Sequence, residues 1–183
     1  MGALLASEAA ATNSFPLLAA VILVPFVGAA LIGLVPRNRG EFFRPIALLT
    51  SVISGAIAVY LLTQFKLRDA GFQFTLQTDW ISDLGVSLHF GVDGISLFLL
   101  VMTGVLFPIA ILGVKPHDDE KAYYAWMLIL MGGCVGVFAA LDMLVFFIFF
   151  EVVLVPMYFL IAGWGHGERM YAATKFFLYT MFG

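Results

Sequence analysis

The chain has 183 residues, of which 62% are hydrophobic and 11% are charged, and its formal net charge is −3. Soluble domains carry about 25% charged residues, so this composition excludes an ordinary soluble protein and indicates several membrane spans. The scattered basic residues form no nucleic-acid surface, and the single cysteine, Cys134, excludes an internal disulfide and a four-thiolate cluster.

The charge-free runs predict an all-α membrane protein, a multi-span helical bundle forming a single membrane domain over residues 1–183. A run of about 20 apolar residues is long enough to cross a bilayer as one helix. Five runs reach this length, and the sixth is incomplete, so we expect the sequence to stop within that helix. The predicted spans cover residues 15–35, 46–65, 94–114, 122–141, 143–162 and 170–183.

An external β-hairpin is predicted between the second and third spans, over residues 72–90. Apolar residues alternate with polar ones there, as in Phe72, Phe74 and Leu76, around a turn that contains Asp79, Ser82, Asp83 and Gly85. Alternation with a period of two is typical of a strand with one buried face. We expect the hairpin to lie on the membrane surface with Trp80 as an interfacial anchor, and the alternative is an irregular loop.

Basic residues are concentrated in the loops after the first, third and fifth spans. The positive-inside rule therefore places these loops in the cytoplasm and the N-terminus outside. The protein is predicted to be a multi-pass protein of a bacterial cytoplasmic membrane or an organellar inner membrane. The basic residues of these loops are Arg37, Arg39, Arg44, Lys115, Lys121 and Arg169, and those of the opposite side are Lys66 and Arg68.

Glu151 is the candidate catalytic residue, because it lies near the midpoint of the otherwise uncharged fifth span. A carboxylate at the bilayer centre costs roughly 2.5–3.5 kcal/mol on insertion scales, and such residues normally serve ion or proton transfer. Glu151 is therefore predicted to be a proton relay. The alternative interpretation is a protonated acid that only hydrogen-bonds a neighbouring helix.

Pro156, Tyr158 and Lys175 are possible relay or structural residues. Pro156 leaves the Val152 carbonyl without its helical partner, which predicts a kink beside Glu151, although prolines are common in membrane helices. Tyr158 lies on nearly the same helix face as Glu151 and provides either a hydroxyl to the same cavity or an interfacial ring. Lys175, near the start of the sixth span, either extends to the interface or joins a charged relay.

The remaining polar signals predict structural roles. Asp142 and Asp93 precede helices and suit N-caps. Gly132 and Gly136 form a GxxxG pair that permits close helix contact. His89, His117 and His166 fall in separate loops without metal-ligand spacing, so no metal site is predicted.

Three segments resemble the subunit M family of NADH-quinone oxidoreductase, the antiporter-like membrane subunits of respiratory complex I. They are Gly91-Val-Asp-Gly-Ile-Ser96, Phe149-Phe-Glu-Val-Val-Leu-Val-Pro-Met-Tyr-Phe-Leu-Ile161 and Ala172-Ala-Thr-Lys-Phe-Phe-Leu-Tyr179. In that family, the glutamate matching Glu151 belongs to a proton channel and pairs with a lysine on the seventh helix. Lys175 matches a lysine of the family's sixth-helix motif. The partner lysine and the second inverted repeat of the family have no counterpart before Gly183.

The resemblance implies the N-terminal part of a proton-translocating subunit, with other complex I membrane subunits, the bilayer and, through the complex, the quinone pool as partners. NADH, flavin, iron–sulfur clusters and quinone would belong to the complex, because this chain has no nucleotide loop and no cluster ligands. Two alternatives remain: a subunit of a cation/proton antiporter complex, and a truncated structural fragment that transports nothing.

Overall fold

The computed structural model describes residues 15–66, 71–81 and 86–183, and it has six α-helices and one antiparallel hairpin in this part of the chain. Five helices, α1 to α5, are long and apolar enough to cross a membrane. The predicted multi-span bundle with a hairpin between the second and third spans is therefore confirmed. In chain order, the elements are α1 Phe15–Leu34, a 3-10 turn Gly40–Phe42, α2 Phe43–Gln64, β1 Gln73–Ile81, β2 Val86–Val92, α3 Gly94–Gly113, α4 Glu120–Ala139, α5 Met143–Trp164 and α6 Arg169–Phe182.

Helices α2 and α4 begin a few residues before the charge-free runs that predicted them. Helix α2 includes Arg44 in its first turn, and α4 begins at Glu120. The Asp119 carboxylate accepts a 3.4 Å hydrogen bond from the Ala122 backbone N–H and caps α4. A helix end at the interface tolerates charge because the side chain reaches water, so charge-free runs underestimate helix length there.

The five spanning helices are buried to very different degrees. Helix α4 is the most buried of them and packs against α1, α2, α3 and α5. Helix α5 is the least buried and packs against α4, α6 and the hairpin strand β2. The candidate carboxylate Glu151 therefore lies on the least buried of the five spanning helices.

The hairpin is tied to the α4–α5 junction. Leu76 of β1 pairs with Phe90 of β2, after a bulge at which Phe74 has a φ of 56°. The Leu141 N–H donates a 2.9 Å hydrogen bond to the His89 carbonyl, and the rings of Phe90 and Phe149 lie edge to face with centroids 5.9 Å apart. Residues Ser82, Asp83, Gly85 and Arg68 and the side chains of Asp79 and Trp80 lie outside the described part, so the predicted turn and anchor stay predictions.

One end of the bundle, which we call the basic end, is formed by the loops at residues 35–42, 114–119 and 165–168. Three basic side chains there donate hydrogen bonds to carbonyls at or just beyond helix C-termini. Such carbonyls have no partner within their own helix, so these bonds fix the ends of three helices relative to their surroundings. The bonds are Arg44 to Leu112 O at 2.6 Å, Lys121 to Gly33 O at 2.8 Å and Val35 O at 2.9 Å, and Arg169 to Gly163 O at 2.7 Å.

Candidate functional site

Helix α5 begins at a clear capping residue. The Asp142 carboxylate accepts hydrogen bonds from the N–H groups of Leu144 at 2.8 Å and Val145 at 3.4 Å. These N–H groups have no carbonyl partner in the first helical turn, so the aspartate stabilises the start of the helix. The predicted role of Asp142 as a cap is confirmed.

The Glu151 side chain points away from α4, one of the helices against which α5 packs. Phe149 packs against Gly136 of α4, where an added Cβ would collide with the ring. Glu151 follows two residues later, and at about 100° per residue its side chain lies about 200° from Phe149. It is half-buried and makes no hydrogen bond or ion pair with any described residue.

Tyr158 lies seven residues after Glu151, on nearly the same face, and it joins α5 to α6. Its ring meets Phe177 of α6 edge to face with centroids 5.9 Å apart, and Phe159 at 5.4 Å. Its hydroxyl has no hydrogen-bond partner among the described residues. The ring therefore has a packing role, while a role of the hydroxyl in the relay stays a prediction.

Pro156 is buried in α5, and the carbonyl that it leaves open is that of Val152, next to Glu151. Two other helices contain an interior proline, Pro25 in α1 and Pro108 in α3. In those helices, the carbonyl four residues before the proline is contacted by a residue of α2. Ser54 contacts the Val21 carbonyl, and Gly55 contacts the Gly104 carbonyl. No side-chain donor in the described part of the chain reaches the Val152 carbonyl.

Lys175 is not brought to Glu151. It is exposed on α6, with its Nζ 5.8 Å from the Tyr171 ring centroid and 5.9 Å from that of Tyr179. The buried Ala173 lies two residues earlier, so Lys175 points about 200° away from it. Within residues 15–66, 71–81 and 86–183, the one ion pair is Arg37 with Asp119, 3.3 Å apart.

Gly132 and Gly136 of α4 accommodate the rings of Phe26 of α1 and Phe149 of α5, so the predicted pair permits close helix contact. A further close contact, between backbones, joins Gly55 of α2 and Gly104 of α3, where an added Cβ on Gly55 would collide with the Gly104 carbonyl oxygen. The sequence gives little signal for this pair, because each glycine stands on a different helix.

Asp93 caps α3 at the hairpin end of the bundle, as predicted. Its carboxylate accepts a 2.7 Å hydrogen bond from the Ser96 N–H, and the Ser96 hydroxyl accepts one of 2.9 Å from the Asp93 N–H. The hydrogen bond from the Ser96 backbone, followed by that from its side chain, holds the pKa of Asp93 below its ordinary value. This capping box belongs to the segment Gly91–Ser96.

Among the described residues, no three His, Cys, Asp or Glu side chains are placed to share a metal ion. The candidate polar groups on α5 and α6 are Glu151, the open Val152 carbonyl, the Tyr158 hydroxyl and Lys175. The carboxyl, hydroxyl and ammonium groups of this set are proton donors and acceptors.

Comparison with known proteins gives concordant similarities. Residues 140–183 match the family described as "NADH:quinone oxidoreductase/Mrp antiporter, TM". The chain is 41% identical over 172 residues to NAD(P)H-quinone oxidoreductase chain 4 1 of Thermosynechococcus vestitus, covering 92% of this chain and 32% of that protein. It is 41% identical over 142 residues to NADH-quinone oxidoreductase subunit M of Rickettsia bellii, covering 75% of this chain and 28% of that protein.

A solved structure described as respiratory complex I from Thermus thermophilus with bound NADH contains a similar chain. The TM-score is 0.75 and the identity 27%, and the similarity covers 91% of this chain and 33% of the other. The chain thus spans about a third of the length of the curated relatives that it matches. In its helical bundle, its hairpin and these similarities, the chain resembles the N-terminal portion of NADH-quinone oxidoreductase subunit M and chain 4.

Proposed function

We propose that this chain is part of a membrane subunit of a proton-pumping NADH:quinone oxidoreductase, in which Glu151 relays protons. The proposal rests on the position and the surroundings of Glu151. It lies near the middle of a spanning helix, is half-buried, and has no hydrogen-bond or ion-pair partner among the described residues. A structural carboxyl group in a membrane is expected to have a partner, because an unsatisfied polar group is costly there.

The open carbonyl of Val152 supports the same role. Together with the carboxyl group of Glu151, it provides two adjacent polar groups at the same depth in an apolar helix. Water is the natural partner for both, and broken or kinked helices with water near midplane carboxylates occur in transporters. A chain of water molecules reaching Glu151 would give protons access to it.

The redox chemistry is proposed to occur elsewhere in the complex. NADH, flavin, iron–sulfur clusters and quinone would be bound by other subunits, and this chain would interact with other membrane subunits of complex I and with the bilayer. Its proposed location is a bacterial cytoplasmic membrane or an organellar inner membrane, with the N-terminus outside and the basic end in the cytoplasm or its equivalent.

A subunit of a cation/proton antiporter complex is the second candidate. The description of the matching family, which names the Mrp antiporter beside NADH:quinone oxidoreductase, supports it. The relatives compared above are named as quinone oxidoreductase subunits, which favours the first candidate. Co-purification of the chain with NADH dehydrogenase subunits or with antiporter subunits distinguishes the two.

The test is the variant Glu151→Gln in the assembled complex that contains this chain. Glutamine keeps the shape and hydrogen-bonding capacity but has no exchangeable carboxyl proton. NADH-driven acidification of inverted vesicles, normalised to assembled complex, should fall, while electron transfer from NADH to an artificial acceptor should persist. Electron transfer to quinone is expected to fall with pumping if the two are coupled.

A matched control is Glu41→Gln, which removes an exposed carboxylate from the loop between α1 and α2. It should leave pumping unchanged. Full pumping in the Glu151→Gln enzyme would reject the relay and favour the structural interpretation, in which a neutral amide replaces a neutral acid without loss.

A further inference from the structure

An amphipathic cleft lies at the basic end of the bundle, between the end of α1 and the start of α2. It has a volume of about 380 Å³ and is lined by Val35, Pro36, Asn38, Arg39, Phe42 and Ile46. We call it the Arg39 cleft. It is distinct from the surroundings of Glu151, since none of its lining residues belongs to α5 or α6.

The polar side of the cleft carries a guanidinium group with no protein partner in the described part of the chain. Arg37, two residues earlier in the same loop, pairs with Asp119, and Arg44 and Lys121 donate to helix carbonyls. Arg39 is exposed and makes no such contact. Glu41 lies in the same turn but does not line the cleft, and no other carboxylate of the described residues lines it.

The other side of the cleft is an apolar wall. Val35 follows the last turn of α1, Ile46 lies in the first turns of α2, and the Phe42 side chain is 46% exposed. These residues stand at the ends of two spanning helices, so in a bilayer the wall would continue into the hydrocarbon core and Arg39 and Asn38 would lie at headgroup level.

We propose that the Arg39 cleft binds an anionic phospholipid of the leaflet at the basic end. The phosphate group would accept hydrogen bonds from Arg39 and Asn38, and the first part of an acyl chain would lie against Val35, Phe42 and Ile46. Basic residues beside spanning helices attract anionic headgroups, and guanidinium binds phosphate with two parallel hydrogen bonds. A free phosphate ion would leave the apolar wall unused, which is why a lipid fits this cleft better.

The experiment measures lipid retention by native mass spectrometry of the whole chain in detergent. Phosphatidylglycerol and phosphatidylcholine with identical acyl chains are offered at equal concentrations. The unmodified chain should retain more phosphatidylglycerol. Arg39→Gln should lower that retention about fivefold, because one basic residue near an anionic surface contributes about 1 kcal/mol.

The control variant is Arg37→Gln, which removes the same charge from the same loop but from a residue that does not line the cleft. It should retain phosphatidylglycerol as the unmodified chain does. Equal losses in the two variants would overturn the proposal, because they would indicate diffuse attraction to the basic end. Equal retention of the two lipids by the unmodified chain would also overturn it.

Two further measurements separate a lipid from a free anion. Phe42→Ser should weaken retention of both lipids, because it removes part of the apolar wall, and excess inorganic phosphate should not displace phosphatidylglycerol. Displacement by phosphate, with retention unaffected by Phe42→Ser, would reject the lipid as the occupant. Circular dichroism of each variant verifies that the helices remain folded.

Discussion

The Ser54 hydroxyl of α2 donates a 2.9 Å hydrogen bond to the Val21 carbonyl of α1, four residues before Pro25. Proline has no N–H, so the Val21 carbonyl lacks the partner that a regular helix would give it. Both groups are buried in the bundle, where water does not compensate for a missing bond. Ser54 thus stabilises a proline-containing helix from a neighbouring one, as is common in membrane proteins.

We expect Ser54→Ala to lower the free energy of unfolding by about 1 kcal/mol, because it leaves a buried carbonyl without a donor. Unfolding in mixed detergent micelles, followed by circular dichroism, measures this change. Ser51→Ala is the matched control. Ser51 is also buried in α2, but its hydroxyl donates to the Leu48 carbonyl of its own helix, so its loss should have a smaller effect.

A double-mutant cycle with Pro25→Ala tests whether the Ser54 hydroxyl compensates for the N–H that Pro25 lacks. Alanine restores an N–H to α1 that can bond the Val21 carbonyl, so Ser54→Ala should cost less in that background than in the unmodified chain. Identical costs in the two backgrounds would show that Ser54 does not compensate for the proline.

We expect Gly55→Ala to destabilise the bundle by about 1–3 kcal/mol, because the new methyl group would collide with the Gly104 carbonyl and push α2 and α3 apart. The same unfolding measurement applies. Gly113→Ala, at the end of α3, places a methyl group in open space and should change stability little. A similar effect of both substitutions would contradict the close contact between α2 and α3.

The capping box at Asp93 predicts a specific pH dependence. The pKa of Asp93 is lowered in the folded state, so its carboxylate stabilises the fold fully above its ordinary pKa of 3.8 and loses this effect as the pH falls through the lower folded-state value. In Asp93→Asn, the amide retains capping ability but does not titrate, so the loss of stability in acid should be smaller. Thermal unfolding at a series of pH values below 5 measures it, and identical acid sensitivity would refute the role.

The proposed orientation predicts that the two ends of the bundle react with impermeant thiol reagents from opposite sides. His117→Cys lies in an exposed position at the basic end, and Gln77→Cys in an exposed position on β1. In a Cys134→Ala background, sealed right-side-out vesicles should label at Gln77→Cys, and inverted vesicles at His117→Cys. Labelling of both positions from one side would reject this topology.

The number and order of the elements could be read from the sequence, because crossing a bilayer requires about 20 apolar residues and a half-buried strand alternates. The caps at Asp93 and Asp142 were also predictable, since the bonds are local and the residues precede a helix directly. The predicted ends of helices such as α2 and α4 were less accurate, because a helix can include charged residues where it reaches the membrane interface.

The contacts between residues of different helices could not be predicted from the sequence. A spanning helix is largely apolar on all sides, so its hydrophobic pattern does not tell which side meets protein and which meets lipid. The close contact of Gly55 with Gly104 and the bond from Ser54 to Val21 depend on how α2 packs against α3 and α1. The same holds for the proposed site. Sequence alone determined that Glu151 is a carboxyl group near the middle of a membrane helix. Only the tertiary structure decided that it faces away from α4 and has no partner among the described residues, because the surroundings of a side chain depend on which helix face the neighbours cover.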